Sequence, residues 1–185
     1  MIYIINIFLG CIFVYFDLHG YNSNFIKWLI SFNSFIYLFL IKVNVYAVLA
    51  TAITFIADYF LLFTNHYLTG ISLFIMVQLT YMHLLKYHIY FPFLFLIFIF
   101  INPLITLAFI YLCFSLLNLF HSFKISKSFF SAIILLLCCD ITIALTHLQL
   151  IDSAYNPIIW LFYIPSQLCF IYSQKILPKS ISTDE

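Results

Sequence analysis

Short polar clusters interrupt the chain at nearly regular intervals and leave eight apolar runs, near 2–16, 25–41, 45–63, 67–86, 89–101, 103–120, 128–147 and 157–176. Within each run almost every position is apolar, so no face alternates as the strands of a membrane barrel do. Segments of this kind satisfy their own backbone N–H and C=O groups only as helices. The pattern therefore predicts an all-α, polytopic membrane helix bundle of about eight transmembrane helices with short loops. The division at Asn102-Pro103 has two readings: it separates two short helices, or it kinks one long one.

Composition turns this pattern into a statement about the solvent. The chain is 66% hydrophobic and 7% charged, with a mean hydropathy of +1.16, whereas a soluble domain carries about 25% charged residues. Eight spans of about 20 residues, each crossing about 30 Å of hydrocarbon, use up most of the 185 residues. A single transmembrane domain over 1–176 and a short polar, frayed tail over 177–185 are expected, with no room for a soluble domain. All seven basic residues are lysines, scattered along the chain, and net charge is +1. No nucleic-acid partner and no polybasic lipid-binding arm is implied.

The run from Ile2 to Phe16 lacks a basic n-region and a small-residue cleavage site, so it reads as a retained first span rather than a signal peptide. Cys11, Cys113, Cys138, Cys139 and Cys169 all fall within spans without CxxC spacing, and read as small buried hydrophobes. Abundant Phe, Ile, Tyr, Asn and Lys beside three glycines and no arginine is the bias of an AT-rich genome. A low-GC bacterium, and its cell membrane, are the expected source and location.

Lysine placement favours eight spans. With the N-terminus inside, Lys42, Lys86, Lys124, Lys127, Lys175 and Lys179 all fall on the cytoplasmic side and only Lys27 on the far side. Merging 89–120 into one helix gives at best a five-to-two split. Both termini then face the cytoplasm. The third and seventh spans run outward, which places Asp58 and Asp140 at similar depth, roughly 8–10 Å below the outer boundary.

Those two aspartates are the strongest chemical signal in the chain. Each sits in a long apolar stretch, TAITFIADYFLLF and AIILLLCCDITIAL, although the chain has only six acidic residues. A carboxylate in hydrocarbon costs several kcal/mol unless it is protonated, paired or placed in a polar cavity, so an intramembrane acid marks a functional site by default. Other polar residues recur at helical spacing: Thr51, Thr54 and Asp58; Gly70, Phe74, Gln78 and Tyr81; Asp140 and His147; Trp160, Tyr163 and Gln167, with Pro165 expected to bend the last helix. Interhelical hydrogen-bond glue accounts for Gln78 and Thr51. It accounts less well for two aspartates with no intramembrane Lys or Arg to pair with both. His19, His66 and His147 fall near Asp17 and Asp152 at the outer side, but no metal-ligand spacing such as HExxH is present. His83, His88 and His121 accompany lysines as a solvated inner rim. No metal and no cofactor is expected.

The stretch ADYFLLFTNHYLTGISLFIMVQLTY resembles the first signature of the YhhN family of lysoplasmalogenase-like membrane proteins. In that signature an aspartate ends one helix and G-x-x-x-F-x-x-x-H/Q-x-x-Y begins the next; Gly70, Phe74, Gln78 and Tyr81 fill those places. Cys139-Asp140 is similar to the second signature, a small residue followed by Asp, and Tyr163 and Gln167 in WLFYIPSQ match its closing Tyr-x-x-x-Gln. Lys27 takes the place of a family lysine that opens the second span. The chain departs from the pattern with Ala57 for Gly, Gln78 for His and Cys139 for Ser, which puts a proton-transfer histidine at position 78 in doubt.

The resemblance implies eight helices and a lysophospholipid partner, a lysoplasmalogen. Its vinyl-ether bond would be cleaved to a fatty aldehyde and a glycerophospho-ethanolamine or -choline. Asp58 and Asp140 would be the catalytic residues, with Gln78, Tyr81, Tyr163 and Gln167 binding substrate or water. Two carboxyl groups suit that chemistry. Protonation of the alkenyl carbon gives an oxocarbenium ion, which needs an acid beside an anionic stabiliser or base. A proton-coupled transporter using the same aspartates is the competing function, though three glycines and no visible repeat do not fit its usual architecture. The GxGD motif of an intramembrane aspartyl protease is absent around Asp140.

Overall fold

A computed structural model describes residues 2–147, 149–150 and 156–181. Among them are seven α-helices, α1 (Ile2–Leu18), α2 (Asn24–Leu40), α3 (Val45–Phe63), α4 (Tyr67–Leu84), α5 (Pro103–Ile125), α6 (Lys127–His147) and α7 (Asn156–Ile181), and one 3-10 helix, Phe91–Phe98, between α4 and α5. The protein is an all-helical bundle. Among the described residues four helices are long and apolar enough to cross a membrane: Val45–Phe63, Tyr67–Leu84, Pro103–Ile125 and Lys127–Thr146. α1 and α2 are apolar but shorter.

The distribution of side chains is inverted relative to a water-soluble protein. Asn6, Ser34, Asn118, Ser122 and Ser173 are wholly buried, while Phe100, Ile101, Ile97 and Phe120 are largely exposed. In water a contiguous apolar exterior of this extent is avoided. In hydrocarbon it costs nothing, and polar groups gain by turning inward to one another. The arrangement is that of an integral membrane protein.

Helix neighbours follow one another around the bundle, and α7 closes the ring against α1, α2 and α6. Close approach depends on small residues. A Cβ at Gly70 of α4 would lie 2.5 Å from Leu61 Cδ2 of α3, so a larger residue there would force the Leu61 side chain to move. Two apolar cores result. The larger includes Leu38, Tyr81, Phe114, Phe129 and Phe170; the smaller, containing Phe13, Ile30, Cys139, Trp160 and Tyr163, lies toward the C-terminal end of α3 and α6.

The Asn102-Pro103 break separates two elements. Asn102 Oδ1 accepts the Ile105 N–H at 3.1 Å as an N-cap, and Pro103 takes the first helical position, where its missing N–H does no harm. What precedes the break is not the α-helix expected over 89–101 but the eight-residue 3-10 helix, unusually long for its kind. It packs on α5, antiparallel to it: Phe93 meets Phe114, Phe95 meets Phe109, and Thr106 Oγ1 donates to the Phe98 carbonyl. α4 and α5 consequently run parallel, with Phe74 beside Tyr111, Gln78 on Asn118 and Tyr87 stacked on His121. At roughly 2.0 Å rise per residue the 3-10 segment carries the chain back along α5, so the alternation of eight elements survives although the fifth is not an α-helix.

Two further expectations shift at α7. The helix runs through Pro165 unbroken and continues to Ile181, past the expected end at 176. Lys175 of α7 lies over the rings of Tyr3 and Tyr37, at 5.2 and 5.0 Å, so the first turn of α1 sits at the same end of the bundle as the last turns of α7. Lys42, Lys86, Lys124 and Lys127, at the ends of α2, α4 and α5 and the start of α6, belong to that end as well. Lys27 lies at the opposite one.

Candidate functional site

Each aspartate is positioned by its own helix face. On α3, Thr51, Thr54 and Asp58 are all buried. The two threonine hydroxyls return to their own helix, Thr51 to the Ala47 and Val48 carbonyls and Thr54 to that of Ala50. Only Asp58 reaches across to other helices. Its Oδ2 accepts hydrogen bonds from Ser31 Oγ of α2 and from the Tyr163 hydroxyl of α7, and the two donor oxygens are 2.8 Å apart. Three helices are thereby tied at one carboxylate oxygen.

Asp140, half-buried on α6, is held differently. Its Oδ2 accepts the Tyr111 hydroxyl of α5 at 2.5 Å. Behind Tyr111 runs a buried amide ladder. Gln78 is a partner of Tyr111, Asn118 Nδ2 donates to the Gln78 Oε1 and carbonyl oxygens at 2.7 and 3.0 Å, and the Tyr87 hydroxyl donates to Asn118 Oδ1 at 2.7 Å. Asp58 and Asp140 lie within electrostatic range of each other, and Cys139 is within range of both. No hydrogen bond joins the two carboxyl groups among the described residues.

The residues expected around the pair are thus divided. Tyr163 touches Asp58 directly. Gln78 acts on Asp140 only through Tyr111. Tyr81 packs edge-on against Phe129 and beside Phe170. Tyr81 and Gln167 line a crevice between α4, α6 and α7 with Phe129, Ala132, Ser166 and Phe170, too narrow to hold water. Neither makes a hydrogen bond to an aspartate among the described residues, although Asp140 lies within electrostatic range of Tyr81. The side chain of His147, and Asp152 altogether, lie outside the described residues. Among the described residues no three His, Cys, Asp or Glu side chains gather as metal ligands.

Ser31 and Tyr111 touch the carboxylates and were missed in the sequence. Both belong to stripes with a legible signal. Lys27, Ser31 and Ser34 recur at i, i+4 and i+7 on α2, and Tyr111, Ser115, Asn118 and Ser122 at i, i+4, i+7 and i+11 on α5.

Compared with protein-family models, with curated proteins and with solved structures, the chain matches none.

Proposed function

We propose that the protein is a lysoplasmalogenase-like membrane hydrolase that cleaves the vinyl-ether bond of lysoplasmalogens with Asp58 and Asp140. The observation that carries this reading is the pair of carboxyl groups in one bundle, within electrostatic range of each other and each held by a tyrosine hydroxyl. One acid protonates the alkenyl carbon and becomes a carboxylate. Water adds to the resulting oxocarbenium carbon and gives its proton to that carboxylate, which restores the acid, and the hemiacetal collapses, its hydroxyl proton passing to the leaving oxygen, to a fatty aldehyde and the free glycerol hydroxyl. Asp58, with two hydroxyl donors against one at Asp140, is the better-stabilised anion and faces the developing positive charge. Asp140 is the proton donor in this scheme.

The same reading places the protein in a bacterial cell membrane with both termini cytoplasmic, since the lysine-rich end of a bundle faces the cytoplasm. Cysteines introduced at 121–127, on a background without the native ones, would then be protected from an impermeant label added outside.

The decisive assay compares aldehyde release by purified protein from a lysoplasmalogen and from its saturated alkyl-ether analogue. Only the vinyl ether forms the oxocarbenium ion by protonation, so turnover is expected on it alone. No aldehyde from any vinyl-ether lipid would defeat the hydrolase and turn attention to a proton-coupled transporter.

A further inference from the structure

The lysines are scattered along the sequence, but the fold treats them differently. Lys27, at one end of the bundle, is buried and paired with Asp17 at 2.9 Å, with the Trp160 ring 5.3 Å away. Lys42, Lys86, Lys124, Lys127 and Lys175 gather at the other end. The described carboxylates, Asp17, Asp58 and Asp140, all lie in the half of the bundle around Lys27; Asp140 is 13 residues from Lys127 along α6, about 20 Å. Lys175 turns to the rings of Tyr3 and Tyr37. The side chains of Lys86, Lys124 and Lys127 make no ion pair, hydrogen bond or ring contact among the described residues.

One of these three lines a cavity. A groove of about 480 Å³, within the usual range of ligand sites, opens beside the last turns of α5 and the first of α6, lined by Leu119, Phe120, His121, Phe123, Lys124 and Phe130. Phe123 meets Phe130 edge-on at 5.3 Å across the two helices, and Phe120 and Phe123 are 72% and 67% exposed. The His121 ring is stacked on that of Tyr87 at 3.7 Å, which leaves its nitrogens at the edge of the stack. Lys86 precedes Tyr87 in the chain, and Lys127 stands three residues, about one helical turn, before Phe130. Apolar walls with a cationic rim suit an amphiphile with an anionic head. A soluble anion would gain nothing from the rings, and a neutral chain nothing from the lysines.

We propose that this groove binds an anionic phospholipid of the adjoining leaflet, with an acyl chain between Phe120, Phe123 and Phe130 and the phosphate at Lys124 and His121. Lysines at the end of a membrane bundle stand at the level of the lipid phosphates, and basic pockets there attract anionic head groups. A zwitterionic lipid would bring its ammonium among three unpaired lysines, with no described carboxylate to receive it. Net negative charge is therefore what the groove selects. Neither aspartate of the candidate site is involved, so the groove stands or falls separately from the hydrolase.

The test follows a tryptophan placed in the groove. Trp28 and Trp160 lie in the half of the bundle around Lys27, so the emission gained on Phe120→Trp reports the groove. The full-length variant is reconstituted in phosphatidylcholine vesicles containing rising fractions of phosphatidylglycerol or phosphatidylcholine with brominated acyl chains, which quench indole on contact. A lysine beside anionic lipid contributes roughly fivefold in affinity, so half-quenching is expected with about tenfold less brominated phosphatidylglycerol than phosphatidylcholine. In the same background Lys124→Gln should raise the phosphatidylglycerol required by about fivefold, and the triple variant K86Q/K124Q/K127Q should make the two lipids equal. Lys42→Gln, at the same end but after α2, which packs on α1, α3 and α7, should change nothing. All four lysines are exposed, so their replacement leaves folding intact. Equal quenching by the two lipids in the parent, preference for phosphatidylglycerol retained in the triple variant, or as large a loss from Lys42→Gln as from Lys124→Gln overturns the site. Relief of quenching by an equal concentration of soluble glycerol phosphate overturns a lipid as the ligand. Loss of quenching by both lipids as protein density in the vesicles rises identifies a second copy of the chain as the occupant and overturns it as well.

Discussion

Asp58 and Asp140 lie in the same half of the bundle, yet their surroundings differ in kind. Asp58 is the meeting point of three helices: hydroxyls from α2 and α7 converge on one oxygen, and the threonines beside it are occupied by their own backbone. Among the described residues Asp140 has one hydroxyl donor, Tyr111, backed by a ladder of amides reaching Tyr87. Redundancy at Asp58 protects its charge against the loss of any one partner. The one donor described at Asp140 leads on through its neighbours to Tyr87, 53 positions away in sequence. Two aspartates in the same half of the bundle thus have unequal surroundings.

The largest effect should come from the carboxyl groups themselves. Asp58→Asn and Asp140→Asn are each expected to lower vinyl-ether cleavage by about 10²–10⁴-fold, the usual cost of losing acid or base assistance, with thermal unfolding temperatures near wild type. Equal activity of both variants to wild type would end the carboxylate mechanism and the comparison with it.

Removing one phenol hydroxyl at a time sharpens the contrast. A hydrogen bond to a charged group is worth about 1.5–3 kcal/mol, so Tyr111→Phe, which strips the described donor from Asp140, should slow turnover by roughly ten- to a hundredfold. Tyr163→Phe leaves Ser31 on Asp58 and should cost only a few-fold. If Tyr163→Phe proves the more damaging in steady-state kcat, the idea of redundancy at Asp58 is wrong.

The amide ladder makes a prediction about stability. Asn118→Ala strands Gln78 Oε1 and the Tyr87 hydroxyl, both deprived of buried partners, and should lower unfolding free energy by about 1–3 kcal/mol in a detergent melt. Smallest of all is the change expected on the outer wall. Phe100 is 95% exposed, and Phe100→Ala should alter stability by no more than about 0.5 kcal/mol. A larger loss would mean that another surface covers the 3-10 helix.

Much of the fold was legible along the chain. Uniformly apolar runs of span length announce helices because the backbone in hydrocarbon has few other ways to pair. The Asn102-Pro103 break was visible because an N-cap and a first-turn proline are local chemistry. The nature of the element before it was not, since FPFLFLIFIF is apolar at every position and carries no periodicity to separate one helix type from another. Around the site, Asp58 and Asp140 announced themselves by being charged where charge is costly. Tyr81 and Gln167 were read from the polar faces of their helices and from the motif, and packing sets both along a narrow crevice, Tyr81 within electrostatic range of Asp140.

The sequence by itself therefore determined that the chain is a bundle of apolar helices with two carboxyl groups inside it, because solvent and backbone pairing act on each segment separately. Only the tertiary structure decided which hydroxyls reach those carboxyls, that α4 and α5 run parallel, and that Lys27 meets Asp17 beside Trp160. Those outcomes depend on how helices from distant parts of the chain rotate and slide against one another. Serine and tyrosine suit glue, packing or partnership with a carboxylate equally well until a neighbouring helix presents the other group.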